Sequence, residues 1–484
     1  VALGVFHPLF LFTNRLSRGM IEIFWSPWLL GGPSVSNKIH LTSGPITSQL
    51  IRLCLPLLAA NVLQQLYNII NSLVVRRYIG GDAFAALGVA ESVMNLFIYV
   101  ITGACMGASV LAARFFGERN FPRLRRQLFV SGVLIGGATL LAVTVTLVLL
   151  PQLLVLIQTP QELMTYTTDY LRVVLAGMVF TFAYNYLAAT LRAIGNTKAA
   201  LYFLLLSLGY NLAAAWVLVA WLDLGILGAA LATSSAQLLS ALLCLIYICK
   251  KLSFLRIRRQ DMRLEPTLMR LTASYGAVAA LQQSSLYLGK LMVQSAVNAI
   301  GTDAISAFTA TTRIENFSQA FGISGCEAIA IFVAQNQGAK EYRRAKDGFL
   351  RGMAIVTGIG VVFSFLLALF GEPLVTIFLD EPVSITLGTS YLRLMGYFYF
   401  LSFIGHSFVG HYRGIGRMNI TFFGTTLQIV VRVVCTYLLV DLLGLDAVAL
   451  ATGLGWVVIV LFHSSVYLLE CRGIGYRLPE TEEP

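Results

Sequence analysis

Residues 334–340 read AQNQGAK, and 221 positions earlier residues 113–119 read ARFFGER. In both places a long apolar run ends at a glycine and turns charged. The later copy closes the stretch GISGCEAIAIFVAQNQGAK, residues 322–340, where one carboxylate, Glu327, interrupts small and apolar residues. Other matches flank these two. IGGDAFAAL from Ile79 aligns with IGTDAISAF from Ile300, DYLR ending at Arg172 with SYLR ending at Arg393, and LRAIGN from Leu191 with YRGIGR from Tyr412. Pro151 and Pro160 match Pro373 and Pro382, and ALAT from Ala230 meets ALAT from Ala449 with the offset slipped by two. Matches in order at a nearly constant offset mark an internal duplication.

The duplicated unit belongs in a membrane. Of 484 residues 57% are hydrophobic and 12% charged, against about a quarter charged in a soluble chain. Runs 128–150, 199–221, 224–249 and 353–370 each approach the ~20 residues with which a helix crosses a bilayer core. They do not alternate as barrel strands do, so the spans are helices. Each copy holds six of them, and an even number makes the repeat parallel. The predicted fold is an all-α membrane protein of twelve transmembrane helices in two pseudo-symmetric six-helix lobes, residues 41–250 and 267–472. A basic linker, 251–266, joins them, and a tail, 473–484, follows.

The net charge of +11 is distributed by loop. Arg119, Arg123, Arg125 and Arg126 follow the second span, Arg192 and Lys198 the fourth, Lys250 to Arg263 the sixth, Lys340 to Lys346 the eighth, Arg413 and Arg417 the tenth, and Arg472 and Arg477 the twelfth. The remaining loops carry acids such as Asp82, Glu162, Asp223, Asp303 and Asp441, and Arg76 and Arg77 break the pattern. This alternation points to a bilayer rather than to nucleic acid, and the positive-inside rule puts both termini in the cytoplasm. Residues 1–40 hold two apolar patches, 2–12 and 21–30, too short to span. No small-residue cleavage site follows a basic region, so no signal peptide is read there. They are expected to be an upstream extension or loose tail, with an interfacial anchor as the alternative. The seven scattered cysteines form no CxxC or CxxH motif, so neither a disulfide framework nor a metal site is expected. No soluble catalytic domain is read in the chain, so no enzyme is expected, and no GxxxxGK[ST] stretch is present, which argues against ATP drive within the chain.

LTSGPITSQLIRLCLPLLAANVLQQLYNIINSLVV at 41–75 resembles the first helix of the multidrug and toxic compound extrusion (MATE) family, and LRAIGNTK at 191–198 and AQNQGAKEYRRAK at 334–346 resemble its cytoplasmic junctions. The likeness runs from about Leu41 to Gly473. It implies a V-shaped two-lobe antiporter that moves organic compounds outward against H⁺ or Na⁺. The chain departs from the family's usual acids. Asn71 stands where many relatives place an aspartate in span one, and Ala215 where another follows the asparagine equivalent to Asn211. Residues 275–300 and 391–411, where a further branch uses acids, contain no Asp or Glu.

Ionisable residues inside spans therefore become the candidates for ion coupling or substrate binding, since each costs ~2.5–3.5 kcal/mol to insert. They are Glu91, Lys290, Glu315, Glu327 and Arg432, with Asn71 and Asn211. Gln64, Gln65, Asn68, Asn185 and Asn316 are candidate cavity linings, since amides donate and accept without charge. Glu91, Glu315 and Arg313 fall toward the outer boundary. Span eight, from Asp303 to Gly338, is too long for a single ~30 Å crossing, so its start is expected to stand above the bilayer; counting inward then puts Glu327, Lys290 and Arg432 at comparable depth, and Glu327 is expected either to pair with Lys290 or Arg432 or to act as a protonatable or cation-binding group. Arg192 and Arg413 precede helix-ending glycines and are expected to meet lipid phosphate, with gating between lobes as the sharper alternative. His406 and His411 are expected at the interface. The function expected is export of drugs, organic cations or metabolites by antiport, by a monomer in a bacterial plasma membrane, with no cofactor, no metal and no nucleic-acid partner. A flippase of lipid-linked saccharides and a non-transporting receptor or scaffold are the alternatives.

Overall fold

The computed structural model describes residues 41–78 and 81–472, with side chains outside 67–85. The expectations for 1–40 and 473–484, and for the side chains of Asn68 and Asn71, lie outside the described residues. Twelve long helices run in chain order: α1 (Ile46–Tyr78), α2 (Gly81–Gly117), α3 (Phe121–Val148), α4 (Gln161–Ala193), α5 (Thr197–Ala215), α6 (Gly225–Lys251), α7 (Pro266–Asn298), α8 (Thr302–Gly338), α9 (Tyr342–Leu369), α10 (Pro382–Gly414), α11 (Met418–Leu443) and α12 (Leu445–Cys471). No strand occurs among the described residues. Ten of these are long and apolar enough to cross a membrane. The other two, α7 and α10, carry Lys290, Gln282 and Gln283, and His406, His411 and Arg413 respectively.

The duplication is visible in the backbone. Gly195 and Gly416 both take φ +83°, and each closes its helix in the same way. The Gly195 and Gly416 amides donate to the carbonyls of Arg192 and Arg413, and the next amides reach back to Leu191 and Tyr412. This closure needs a left-handed residue, which glycine adopts without cost. Arg119 (φ 57°) and Lys340 (φ 61°), also 221 apart, turn the chain after α2 and α8. A short helix follows both α3 and α9, at Leu150–Leu156 and Gly371–Val375. The two-residue slip falls near a local difference between the copies. After α5 the chain passes through a π-helical stretch, Trp216–Trp221, and three linking residues, 222–224, before α6. The corresponding α11 runs on without a π-helical stretch to a single linking residue, Gly444.

Within each lobe the fourth helix of the copy is the central one. In the first lobe α4 packs on α2 and α6, and in the second α10 packs on α8, α9 and α12. Tyr391, Tyr399, Phe403 and Tyr412 of α10 are all fully buried. Large apolar side chains such as Leu141, Phe365 and Leu442 remain on the outside, as expected where lipid is the solvent. The first helix of each copy crosses over. α1 packs on α5 of its own lobe and on α8 and α9 of the other, while α7 packs on α11 and on α2 and α3.

The linker is docked rather than free. Arg125 Nε in α3 lies 2.7 Å from Asp261 Oδ2, with both side chains buried. The Asp261 carboxylate also accepts from the Arg258 amide at 3.0 Å. Burial pushes the Asp261 carboxyl up, but the hydrogen bonds from Arg125 and the Arg258 amide and the charges of both arginines outweigh it, and the group ends below its ordinary value of 3.8. A lowered carboxylate adds stability above its unfolded value and loses it as pH falls through the folded one. Asp261→Ala is expected to cost roughly 3–5 kcal/mol by stranding Arg125. Thermal melts should show a gap from wild type that is constant well above the ordinary carboxylate value of 3.8 and narrows as pH falls below it.

Candidate functional site

The two copies of the duplicated sequence meet at the end of the bundle that carries the basic loops. Gly117, closing α2, lies against the backbone of Gln335 in α8, and Gly338, closing α8, lies against the backbone of Arg114 in α2. Gly117 and Gly338 are equivalent positions of the repeat, as are Arg114 and Gln335, so one contact is made twice. A Cβ on either glycine would overlap the facing carbonyl oxygen; glycine permits this approach of two helix backbones. Polar contacts tie the lobes together around it. Gln335 Nε2 donates to the Ala193 carbonyl at 2.6 Å. Arg344 of α9 donates to the carbonyls of Leu41 and Gly44 and to Gln49 Oε1. At mid-depth Asn61 of α1 donates to Ser324 Oγ of α8 at 2.9 Å.

Glu327 lies between these layers. Its Oε1 is 2.7 Å from Arg192 Nε, an ion pair between α8 of the second lobe and α4 of the first, with the side chains 26% and 24% exposed. The repeat equivalents form the mirror contact. Arg413 of α10 faces Met106 of α2, its Nη1 2.6 Å from the thioether sulfur. Nη2 donates to Gln282 Oε1 of α7 at 3.1 Å. Arg413 is 7% exposed, and the Nε atoms of both Arg192 and Arg413 are buried without a hydrogen bond of good geometry, the former within ion-pair distance of Glu327. A small cavity beside both pairs, about 20 Å³, is lined by Met106, Ser109, Ala113, Glu327, Ala330 and Arg413. It has room for a water and none for an organic molecule.

This arrangement corrects two expectations. Glu327 does not pair with Lys290 or Arg432. It lies 25 residues from the start of α8, about 37 Å of helix. Lys290 is eight residues from the same end of α7, about 12 Å, and Arg432 eleven from that of α11, about 17 Å. The early turns of α8 belong to the bundle, so the depths do not match. Nor do Arg192 and Arg413 point to lipid phosphate, since both lie in the seam. Arg192 and Arg413 lie between the lobes, the setting that the gating alternative requires, and Met106 was not anticipated as a site residue. Its signal was the repeat itself, because Arg192 and Arg413 are equivalent positions and so are Glu327 and Met106.

The other candidates are dispersed. Lys290 and Arg432 share a charge cluster in the second lobe with Glu315, which faces both cations and the Tyr391 hydroxyl. Glu315 Oε1 and Arg432 Nε are buried there without hydrogen-bond partners. Glu91 is exposed, as are Gln64 and Gln65. Asn185 donates to the Thr181 carbonyl of its own helix. Asn211 is 2% exposed with Oδ1 unpartnered, and Asn316 is half-buried. His411, in the last turn of α10, is buried and stacked on Phe349 at 4.2 Å, and His406, half-buried, has Nδ1 2.7 Å from the Ser402 carbonyl of its own helix.

Two parallel six-helix lobes with a polar cross-lobe seam define a multi-pass membrane transporter of the two-lobe class. The MatE family model matches residues 56–217 and 279–438, and the chain belongs to that family. It is 26% identical over 380 residues to the probable multidrug resistance protein YpnP of Bacillus subtilis, covering 78% of this chain and 84% of that one. To the multidrug export protein MepA of Staphylococcus aureus it is 23% identical over 415 residues, covering 84% and 90%. A solved outward-facing multidrug resistance MATE transporter of the MOP superfamily superposes with a TM-score of 0.85 at 20% identity, covering 92% of this chain and 100% of that chain. MATE-family members are transporters, not enzymes.

The glycine contact carries a prediction. Overpacking costs ~1–3 kcal/mol, so valine at Gly117 or Gly338 should lower the ratio of closed to open protein at this end roughly 5- to 150-fold. Disulfide trapping between cysteines placed at the exposed Arg119 and Lys340 should fall accordingly. Valine at Gly137 or Gly209, which have open space around them, should leave trapping unchanged.

Proposed function

We propose that this protein exports drugs, organic cations or metabolites from a bacterial cell by antiport against H⁺ or Na⁺, its two lobes alternating access across the plasma membrane. The observation that supports this most directly is the seam: repeat-equivalent residues of two lobes close on each other at one end, by contacts that separating the lobes would break. The basic loops lie at that end, and positive charge favours the cytoplasmic side. In this reading both termini are cytoplasmic and the described conformation is closed toward the cytoplasm. The coupling ion is cargo and no resident cofactor is needed. Names of relatives support the substrate class, since YpnP and MepA are described as multidrug resistance and multidrug export proteins.

The second lobe argues against the saccharide-flippase alternative. Lys290 and Arg432 are set beside Glu315, so acid accompanies base where a polyanionic headgroup would need base alone. A single chain suffices for both lobes, and the protein is proposed to act as a monomer through contact with lipid and a small-molecule substrate.

Everted membrane vesicles test the reading. Ethidium or a related dye should collapse a pre-formed pH or sodium gradient in vesicles that carry the protein and not in empty ones. Silence toward a panel of dyes and both ions would overturn it. Glu327→Gln should lower drug resistance in cells at undiminished membrane abundance. Equal resistance at equal abundance would remove Glu327 from the cycle.

A further inference from the structure

Glu327 and Met106 occupy equivalent positions of the repeat, as do Arg192 and Arg413. Each arginine ends the fourth helix of its lobe and reaches the second helix of the other. The first meets a carboxylate, and the second meets a thioether. A buried guanidinium calls for charged or strong acceptors. Arg413 has instead a sulfur atom at 2.6 Å, one amide oxygen at 3.1 Å and the Cys326 sulfur at 3.9 Å. The cavity between the two arrangements is too small for a substrate group to supply the missing acceptor.

We propose that the seam is a carboxylate–arginine latch with two repeat-related sockets, of which this chain fills one: Glu327 on Arg192 holds the basic end closed, and Arg413 opposite Met106 is the equivalent socket left without its acid. This rests on the reading of the protein as an alternating-access transporter. Parting the lobes at this end carries α4 away from α8, so Glu327 and Arg192 lose each other and the closed state alone has their attraction. Glu327 also faces Cys54 of α1 and Tyr184 of α4, and Arg413 lines the same cavity from its own lobe. None of these is a second cross-lobe cation. Both residues of the pair are about a quarter exposed, so the latch biases the closed state without locking it, as a transporter that must visit both states requires.

The geometry makes the latch transferable. An acid at position 106 should find Arg413 already in place. Spin labels at the exposed positions Arg119 and Lys340, in a background with the exposed Cys249 and Cys471 replaced by serine, give the distance distribution across the basic end in purified protein. Glu327→Met and Arg192→Met should each shift several-fold of population to the longer distance, and Glu327→Gln should do the same without changing side-chain volume. Met106→Glu alone should deplete the longer distance. The double variant Glu327→Met with Met106→Glu should return to within about twofold of the wild-type distribution. A double variant that matches Glu327→Met, or an Arg192→Met that matches wild type, would overturn the proposal. The distances need no substrate, so a protein that moves no dye still tests the latch, and a protein that moves dye through an unlatched seam refutes the latch while leaving transport standing.

Discussion

The architecture turns on a constraint of close approach. Two helices, α2 and α8, must touch backbone to backbone at Gly117 and Gly338. Everything at the basic end follows from that contact. It brings the ends of α4 and α10 over the opposite lobe, which puts Arg192 within 2.7 Å of Glu327 and Arg413 within reach of Met106. It lets α1 and α7 each lie across the divide. A bulkier residue at the contact would meet the facing carbonyl and strain the packing around these groups, since a close-packed interior transmits strain.

The duplication was legible because it is written in residues with no substitutes. Left-handed turns at Gly195 and Gly416, and glycine at the two helix ends in the seam, are demands of backbone geometry, so both copies kept them through sequence change elsewhere. Span number and the alternation of loop charge were legible for the same reason: hydrophobic length and charge are additive along the chain. What escaped was the partner of Glu327. Helical periodicity fixes which residues share a face of one helix, but not which helix that face meets. The depth count also assumed that the first turns of α8 stood clear of the bilayer, and an error of a few turns at 1.5 Å per residue reassigns a charge from one partner to another. The amides of span one carried no positional signal at all, because an asparagine that bonds a neighbouring helix and one that faces a ligand look alike in sequence.

Symmetry of backbone and asymmetry of charge are separate properties here. Asn211 in α5 and Arg432 in α11 are equivalent positions, one a neutral amide and the other a cation, and both have a buried polar atom without a hydrogen-bond partner. Glu315 likewise stands opposite Met94 in the repeat. The second lobe holds its charges as a mixed cluster and the first lobe offers amides. A scaffold whose two halves share a backbone plan can therefore differ in the charge each half holds.

The orientation of the repeat sharpens why single residues matter at the seam. In an inverted repeat, exchanging the two halves turns the state open at one face into the state open at the other, so the two begin near parity. A parallel repeat has its pseudo-axis along the membrane normal. Exchanging the lobes returns the same end closed, and no symmetry relates the closed basic end to its open counterpart. Their balance has to be set by the contacts that only one state contains. Backbone apposition at Gly117 and Gly338 stabilises closure twice over, and any ion pair added there stabilises it further. A few kcal/mol is enough to leave the minor state almost unpopulated. One filled socket and one empty one is thus a physically reasonable setting: a second carboxylate would add attraction at the end that the glycine contact already favours.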